Sequence, residues 1–315
     1  MMVRALSRRT VLGLLALGPV LPARAASPGS VNVVATTGMI ADTARTLGGE
    51  GATVRALMPP GSDPHAFRQT RSDLAALLGA DLVLWNGLGL EAQMERLLTD
   101  LAARRPVVAV AEAIPADWLL EDEDYGRPDP HVWLDPALWS EASVAIAAAL
   151  EEAGLPAAGA LPAWQEELAA LRDYADEVLA TVPEESRILV TAHDAFRYWG
   201  RAHGWEVEGI QGISTESEAG IARIEELVSL LVERRIGAVF VESSVPDRNL
   251  RALIEGAAAR GHEVVLGGTL LSDAMGPEGT YEGTYPGMID HNATTIARAL
   301  GGEAPERGRL GRLGS

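Results

Sequence analysis

The sequence predicts an α/β protein: two parallel-sheet lobes joined by one long linking helix. Two separate stretches alternate short apolar runs with helical segments, the pattern of strands covered on both faces by crossover helices. A strandless helical stretch lies between them. The length of 315 residues exceeds what one core of ordinary size holds, so two domains are expected.

From Val31 the first stretch runs "VNVVATT", "IADTARTLGG", "ATVRALMP", "RSDLAALLGA", "DLVLWNG", "EAQMERLLTDLAA" and "PVVAVAE". Four β-rich runs separated by helices make a parallel sheet. After "HVWLDP" the pattern is helical, and from Leu161 to Thr181 it places Leu161, Trp164, Leu168, Leu171, Ala175 and Val178 on one face. Such a helix spans about 30 Å, enough to cross between domains. The alternation restarts with "RILVTA", "FRYWGRAHG", "EVEGI", "AGIARIEELVSLLVERR", "GAVFVES", "DRNLRALIEGAAARG" and "EVVLGG". The expected divisions are a leader at 1–25, a first lobe at 26–155, the linking helix at 156–183, a second lobe at 184–303 and a loose Gly/Arg tail at 304–315.

The leader has arginines, an apolar run from Val11 to Leu21 and a small-residue end at Ala23-Arg24-Ala25, which is the form of an export signal. The run is shorter than the roughly 20 residues of a membrane span. Arg8-Arg9 fits a twin-arginine signal, and a general secretory signal also accommodates the pair. With no cysteine after the run, no lipid anchor is expected and the mature protein is placed in the periplasm as a soluble chain.

Zero cysteines remove disulfides, thiolate ligands and cysteine nucleophiles, so any ligand is held through N and O atoms. The net charge of −18 becomes more negative once the arginine-bearing leader is removed, opposite in sign to a nucleic-acid binder. Metalloprotease, nucleophile-elbow and phosphate-loop motifs are absent, which leaves catalysis without a positive sign.

Two of the six histidines, His65 and His131, stand in identical Asp-Pro-His tripeptides within loop-like segments. The preceding proline restricts the backbone and lowers the entropy lost on fixing the ring. His193 follows "RILVTA" at the carboxyl end of a strand, where ligands of open α/β sheets bind, and Asp273 lies in the connection after the last strand. Asp135 has two readings, a hydrogen-bond partner for the His131 ring or a cap for the helix that starts at Pro136. His203, His262 and His291 fall at helix ends or on a helix and read as structural or surface residues. Gly87-Leu88-Gly89, with Glu112 further on, imitates a dinucleotide fingerprint, but it follows the third strand rather than the first and reads better as a strand-to-helix turn with Glu91 in the first helical turn.

The segments "MPPGSDPHAF", "WNGLGLE", "DPHVWLDP", "VTAHDAFRYWG", "QGISTESEAG", "VFVESSVPDRNL" and "LLSDAMGPEGTYEGTYPGMIDHN" resemble, in order and over nearly the whole exported chain, the solute-binding proteins of metal ABC transporters, the TroA/ZnuA-like group. The resemblance implies one metal ion held in the cleft between lobes by His65, His131, His193 and Asp273. It also implies a membrane permease and a cytoplasmic ATPase as partners, and the protein itself is expected to be a monomer. The ion is transported cargo, Zn2+ or Mn2+. Three imidazoles and a carboxylate favour zinc, whereas the stretch "EDEDYGRPDP" lacks the histidine-rich loop of many zinc-specific members. The similarity is greatest to the TroA branch. The rival reading is a periplasmic metallohydrolase built on the same cluster.

Overall fold

The computed structural model describes residues 30–122 and 125–314; the expected leader lies outside them. Two four-stranded sheets are present, both wholly parallel. In the first, β1 (Val31–Ala35), β2 (Ala52–Ala56), β3 (Leu82–Trp85) and β4 (Val107–Ala109) lie in the order β2-β1-β3-β4. β3 is buried along its whole length, as its unbroken "LVLW" requires. Edge strand β2 alternates half-buried and exposed residues. The crossover helices are α1 (Gly38–Gly48), α2 (Arg71–Gly79) and α3 (Glu95–Ala102). Thr70 and Asp73 close a reciprocal capping box at the start of α2.

A two-stranded hairpin, β5 (Glu121–Asp122) with β6 (Arg127–Pro128), leads to α4 (Pro136–Glu152) and the linking helix α5 (Leu161–Ala180). The second sheet contains β7 (Ile188–His193), β8 (Glu206–Gln211), β9 (Ala238–Glu242) and β10 (Val265–Leu270) in the order β10-β9-β7-β8. Its helices are α6 (Arg197–His203), α7 (Ile221–Arg234), α8 (Arg248–Ala259) and α9 (Tyr285–Ala299). Both sheets therefore reverse winding direction beside their first strand, and the two switch points open crevices at the strands' carboxyl ends.

One apolar core runs through α1, α4, α5 and α9 and ties the lobes together. Tyr285 of α9 stacks on Trp139 of α4 with ring centres 5.6 Å apart and meets Trp164 of α5 at 6.0 Å. The indole nitrogens of Trp139 and Trp164 donate to Thr43 at 3.0 Å and Ser143 at 2.9 Å, so burying them strands no polar group. Among the described residues, no helix is long and apolar enough to cross a membrane.

The segment expected to be a loose tail has a fixed place. Backbone N–H of Arg309 donates to both oxygens of the buried Asp290 at 2.9 and 3.0 Å, its guanidinium pairs with Glu167, and Leu313 is buried. Gly308, at φ 71°, lies so close to Asp290 that a β-carbon would collide with the carboxylate. The glycine that suggested looseness is what permits the close approach.

Candidate metal centre

The crossover rules deliver four side chains to one place. His193 is the last residue of β7, Asp273 follows the end of β10, His65 sits between β2 and α2, and His131 sits between β6 and α4. All four are buried, and one donor atom from each lies within 4.8 Å of every other. Nε2 of His131 is 3.3 Å from that of His65 and 3.4 Å from that of His193. Asp273 oxygens lie 3.2 Å from His193, 3.4 Å from His131 and 3.8 Å from His65. A tetrahedron with bonds of about 2.0–2.1 Å, the zinc–nitrogen length, has edges of about 3.3–3.4 Å. Four of the six donor separations, at 3.2–3.4 Å, already have the spacing of such a shell, whereas the His65–Asp273 separation of 3.8 Å is wider.

The repeated tripeptide is a local device. In each copy the aspartate accepts from the backbone N–H of the histidine two residues on, Asp63 to His65 at 2.9 Å and Asp129 to His131 at 3.0 Å. This Asx turn, with proline between, fixes the loop that carries the ring. The two copies then differ. The same Asp129 oxygen reaches Nδ1 of His131 at 2.7 Å, leaving Nε2 to face the centre, whereas the second oxygen of Asp63 accepts from Thr215 of the other lobe at 2.6 Å. Asp135, one of two readings for the His131 partner, is the helix cap: it accepts from Ala137 N–H at 2.9 Å. The ring belongs to Asp129.

Glu242 ends β9, the strand beside β7 at the switch point. One of its oxygens accepts from His193 N–H at 2.8 Å, and the other lies 2.6 Å from His193 Nδ1. Asn292 of α9 grips the main chain at Leu271 through bonds of 2.9 and 2.8 Å, and Trp133 donates its indole N–H to Ser272 at 2.7 Å. Asp273 is thus aimed by both lobes. Sequence reasoning missed Glu242, Asn292 and Trp133; a lone acid closing the apolar run "VFVE" was the available signal for the first.

Electrostatics divide the four candidate ligands. Burial works against charge on His193, but Glu242 and Asp273 outweigh it and raise its pKa well above the imidazole range. Burial depresses His65 to about 3, with the neighbouring rings adding to the fall against Asp273. Burial also pushes the Asp273 carboxyl up, yet His193, His131 and His65 together hold it well below the carboxylate range. A divalent cation entering here meets an ionised carboxylate and two rings, those of His131 and His193, whose outer nitrogens stand beside acids, an arrangement that raises ligand basicity; Nδ1 of His65 has no such partner. Asp129→Asn should lower metal affinity about 10–100-fold while leaving the fold intact; isothermal titration of the variant beside the parent chain checks it, and an unchanged affinity would count against this role.

The remaining histidines bond elsewhere: His203 with Asp176 at 2.6 Å, His262 with the Ile236 carbonyl at 2.7 Å and His291 with that of Thr269 at 2.8 Å. The imitation fingerprint forms a turn, with Gly87 and Gly89 at positive φ. Glu91 lies before α3 rather than inside it, and its buried carboxylate accepts from Thr36 Oγ1 and from Asn86 and Gly87 N–H at 2.6, 2.8 and 3.2 Å. The Asn86 and Gly87 N–H groups are thereby occupied and not free for a pyrophosphate.

Comparison with known proteins fits this geometry. A family model described as "ZnuA: Zinc-uptake complex component A periplasmic" matches residues 33–299. The chain belongs to the ZnuA family. Within that family it is 45% identical over 274 residues, 86% of this chain and 90% of the other, to the manganese-binding lipoprotein MntA of Bacillus subtilis. It is 44% identical over 281 residues, 88% and 91% of the two chains, to the zinc-binding protein TroA of Treponema pallidum. A solved structure of periplasmic zinc-binding TroA from that organism superposes with a TM-score of 0.81 at 42% identity, covering 86% of this chain and 99% of that one. Two parallel-sheet α/β lobes are the architecture this ZnuA-family chain has.

Proposed function

We propose that the protein is the periplasmic binding component of a metal ABC transporter, that it captures a divalent transition-metal ion through His65, His131, His193 and Asp273, and that it delivers the ion to a membrane permease driven by a cytoplasmic ATPase. The observation that carries this is the convergence of four buried donors, two from each lobe, with four of their six separations at 3.2–3.4 Å, the edge of a zinc tetrahedron. Zinc is the favoured cargo, because three imidazoles with one carboxylate match its preference, whereas manganese prefers more oxygen and binds more weakly along the series. The two relatives' names divide between these metals.

A carrier, not a catalyst, is supported by the burial of the donors and by the engagement of Asp129 and Glu242 with ligand rings, which leaves neither as a free general base. We propose that it acts as a monomer. Several relatives are named lipoproteins, and the 315 residues of this chain include no cysteine to carry a lipid.

The test is thermal. A ligand that binds only the folded state adds about 4 kcal/mol at a thousandfold excess over Kd, so zinc should raise the melting temperature of chelator-treated protein by several degrees. Manganese should raise it less at equal concentration. Absence of any shift with zinc, manganese or iron sinks the carrier assignment.

A further inference from the structure

We propose that the cavity between edge strand β2 and the 271–284 segment is the port through which the metal ion reaches and leaves the buried centre, with Met275 as its gate. The inference rests on the carrier reading above and adds to it a route and a rate-setting residue.

The three ligand histidines are completely shielded from solvent. Of the four ligands only Asp273 borders the cavity, which measures about 400 Å³ and is also lined by Gly38, Met58, Ser62 and Met275. Six waters occupy about 180 Å³ at 30 Å³ each, so a divalent ion with its hydration shell fits inside. Arg45 and Arg55 stand at the exposed outer end, where Arg55 is paired with Asp73 at 2.9 Å. At the inner end is the Asp273 carboxylate, which makes it the ligand an incoming cation meets first.

The other sides of the centre are fastened. Trp133 packs edge-on against His131 with ring centres 5.3 Å apart, Tyr198 donates to the Asp129 carbonyl at 2.8 Å, and Thr215 locks Asp63 across the lobes at 2.6 Å. Opening there breaks a buried hydrogen bond at Tyr198 and a half-buried one at Thr215. At the cavity the closing contact is apolar and flexible. Met275 reaches over to α1, and a β-carbon on Gly38 would lie only 3.0 Å from its methyl carbon. Glycine is a poor residue at the start of a helix body, and the thioether resting on it supplies the reason for it. Three rotatable bonds let that side chain swing aside without moving either lobe.

A port lies on the path in both directions, so altering it changes association and dissociation rates by the same factor and leaves Kd alone. Stopped-flow mixing of the full chain with zinc, and of zinc-loaded protein with a chelator in excess, reads the two rates. Ser62→Trp, which fills the cavity, should slow both about tenfold; Met275→Ala, which opens it, should speed both, with Kd in each case within about twofold of the parent. The opposite signs separate obstruction from general damage to the fold. Unchanged rates in both variants, or a change in dissociation alone with a shifted Kd, overturn the port. Failure of the parent chain to bind any of zinc, manganese and iron at equilibrium overturns the carrier reading itself, and that result appears before any variant is compared.

Discussion

His131→Ala should bind zinc about a thousandfold more weakly than the parent chain, since structural zinc sites contribute about 10–16 kcal/mol through four ligands. Among those four, His131 holds the centre together: its Nε2 is 3.3–3.4 Å from the donor atoms of His65, His193 and Asp273. Losing it opens three edges of the tetrahedron at once. The variant also removes the ring partner of the buried Asp129, so some loss of stability in the unliganded protein accompanies the loss of affinity. The two effects are separated by measuring the zinc-induced rise in melting temperature rather than the melting temperature itself. That rise should vanish in His131→Ala and persist in His203→Ala, whose ring bonds to Asp176 on the linking helix. A zinc-induced rise of parental size in His131→Ala places the metal elsewhere.

Much of this was legible in the chain because parallel strands buried on both faces must be nearly continuous apolar runs. "LVLW" and "ILVT" can be little else. Helix starts were equally readable where a capping residue precedes proline, as at Asp135-Pro136. What the sequence withheld depends on partners distant along the chain. Glu242 is 49 residues from His193, and only the pairing of β7 with β9 makes them neighbours. Asp129 was in plain view beside His131, yet a carboxylate two residues before a histidine and another four residues after it are indistinguishable until the turn is built. The tail was misjudged for a related reason. Gly308 and Arg309 lower the apolar content of their segment, and what holds them is a buried carboxylate on α9, contributed by Asp290. Composition registers side chains, whereas this attachment is made by backbone N–H.

Zinc affinity should rise about tenfold per pH unit from about pH 5 until the raised pKa of His193 is passed, and level off above it. The sign follows from the folded protein before and after binding. His193 lies between Glu242 and Asp273, which raise its pKa above the imidazole range, so the metal-free centre carries a proton there at neutral pH. A metal ion needs that ring neutral and must displace the proton, and lower pH opposes the exchange. His65 contributes no such slope in this window, because burial holds it neutral down to about pH 3. Asp273 is already ionised throughout. Glu242→Gln tests the cause: it removes one of the two charges that stabilise the His193 cation, so the plateau should begin at lower pH. The same substitution weakens the acid that makes the ring a strong donor, so affinity on the plateau should fall about 10–100-fold. The two changes therefore oppose one another, and the variant should lie furthest below the parent at alkaline pH and approach it towards pH 5. Zinc titrations of both proteins at half-unit steps from pH 5 to 8.5 measure this; parallel curves would remove Glu242 from control of the His193 proton.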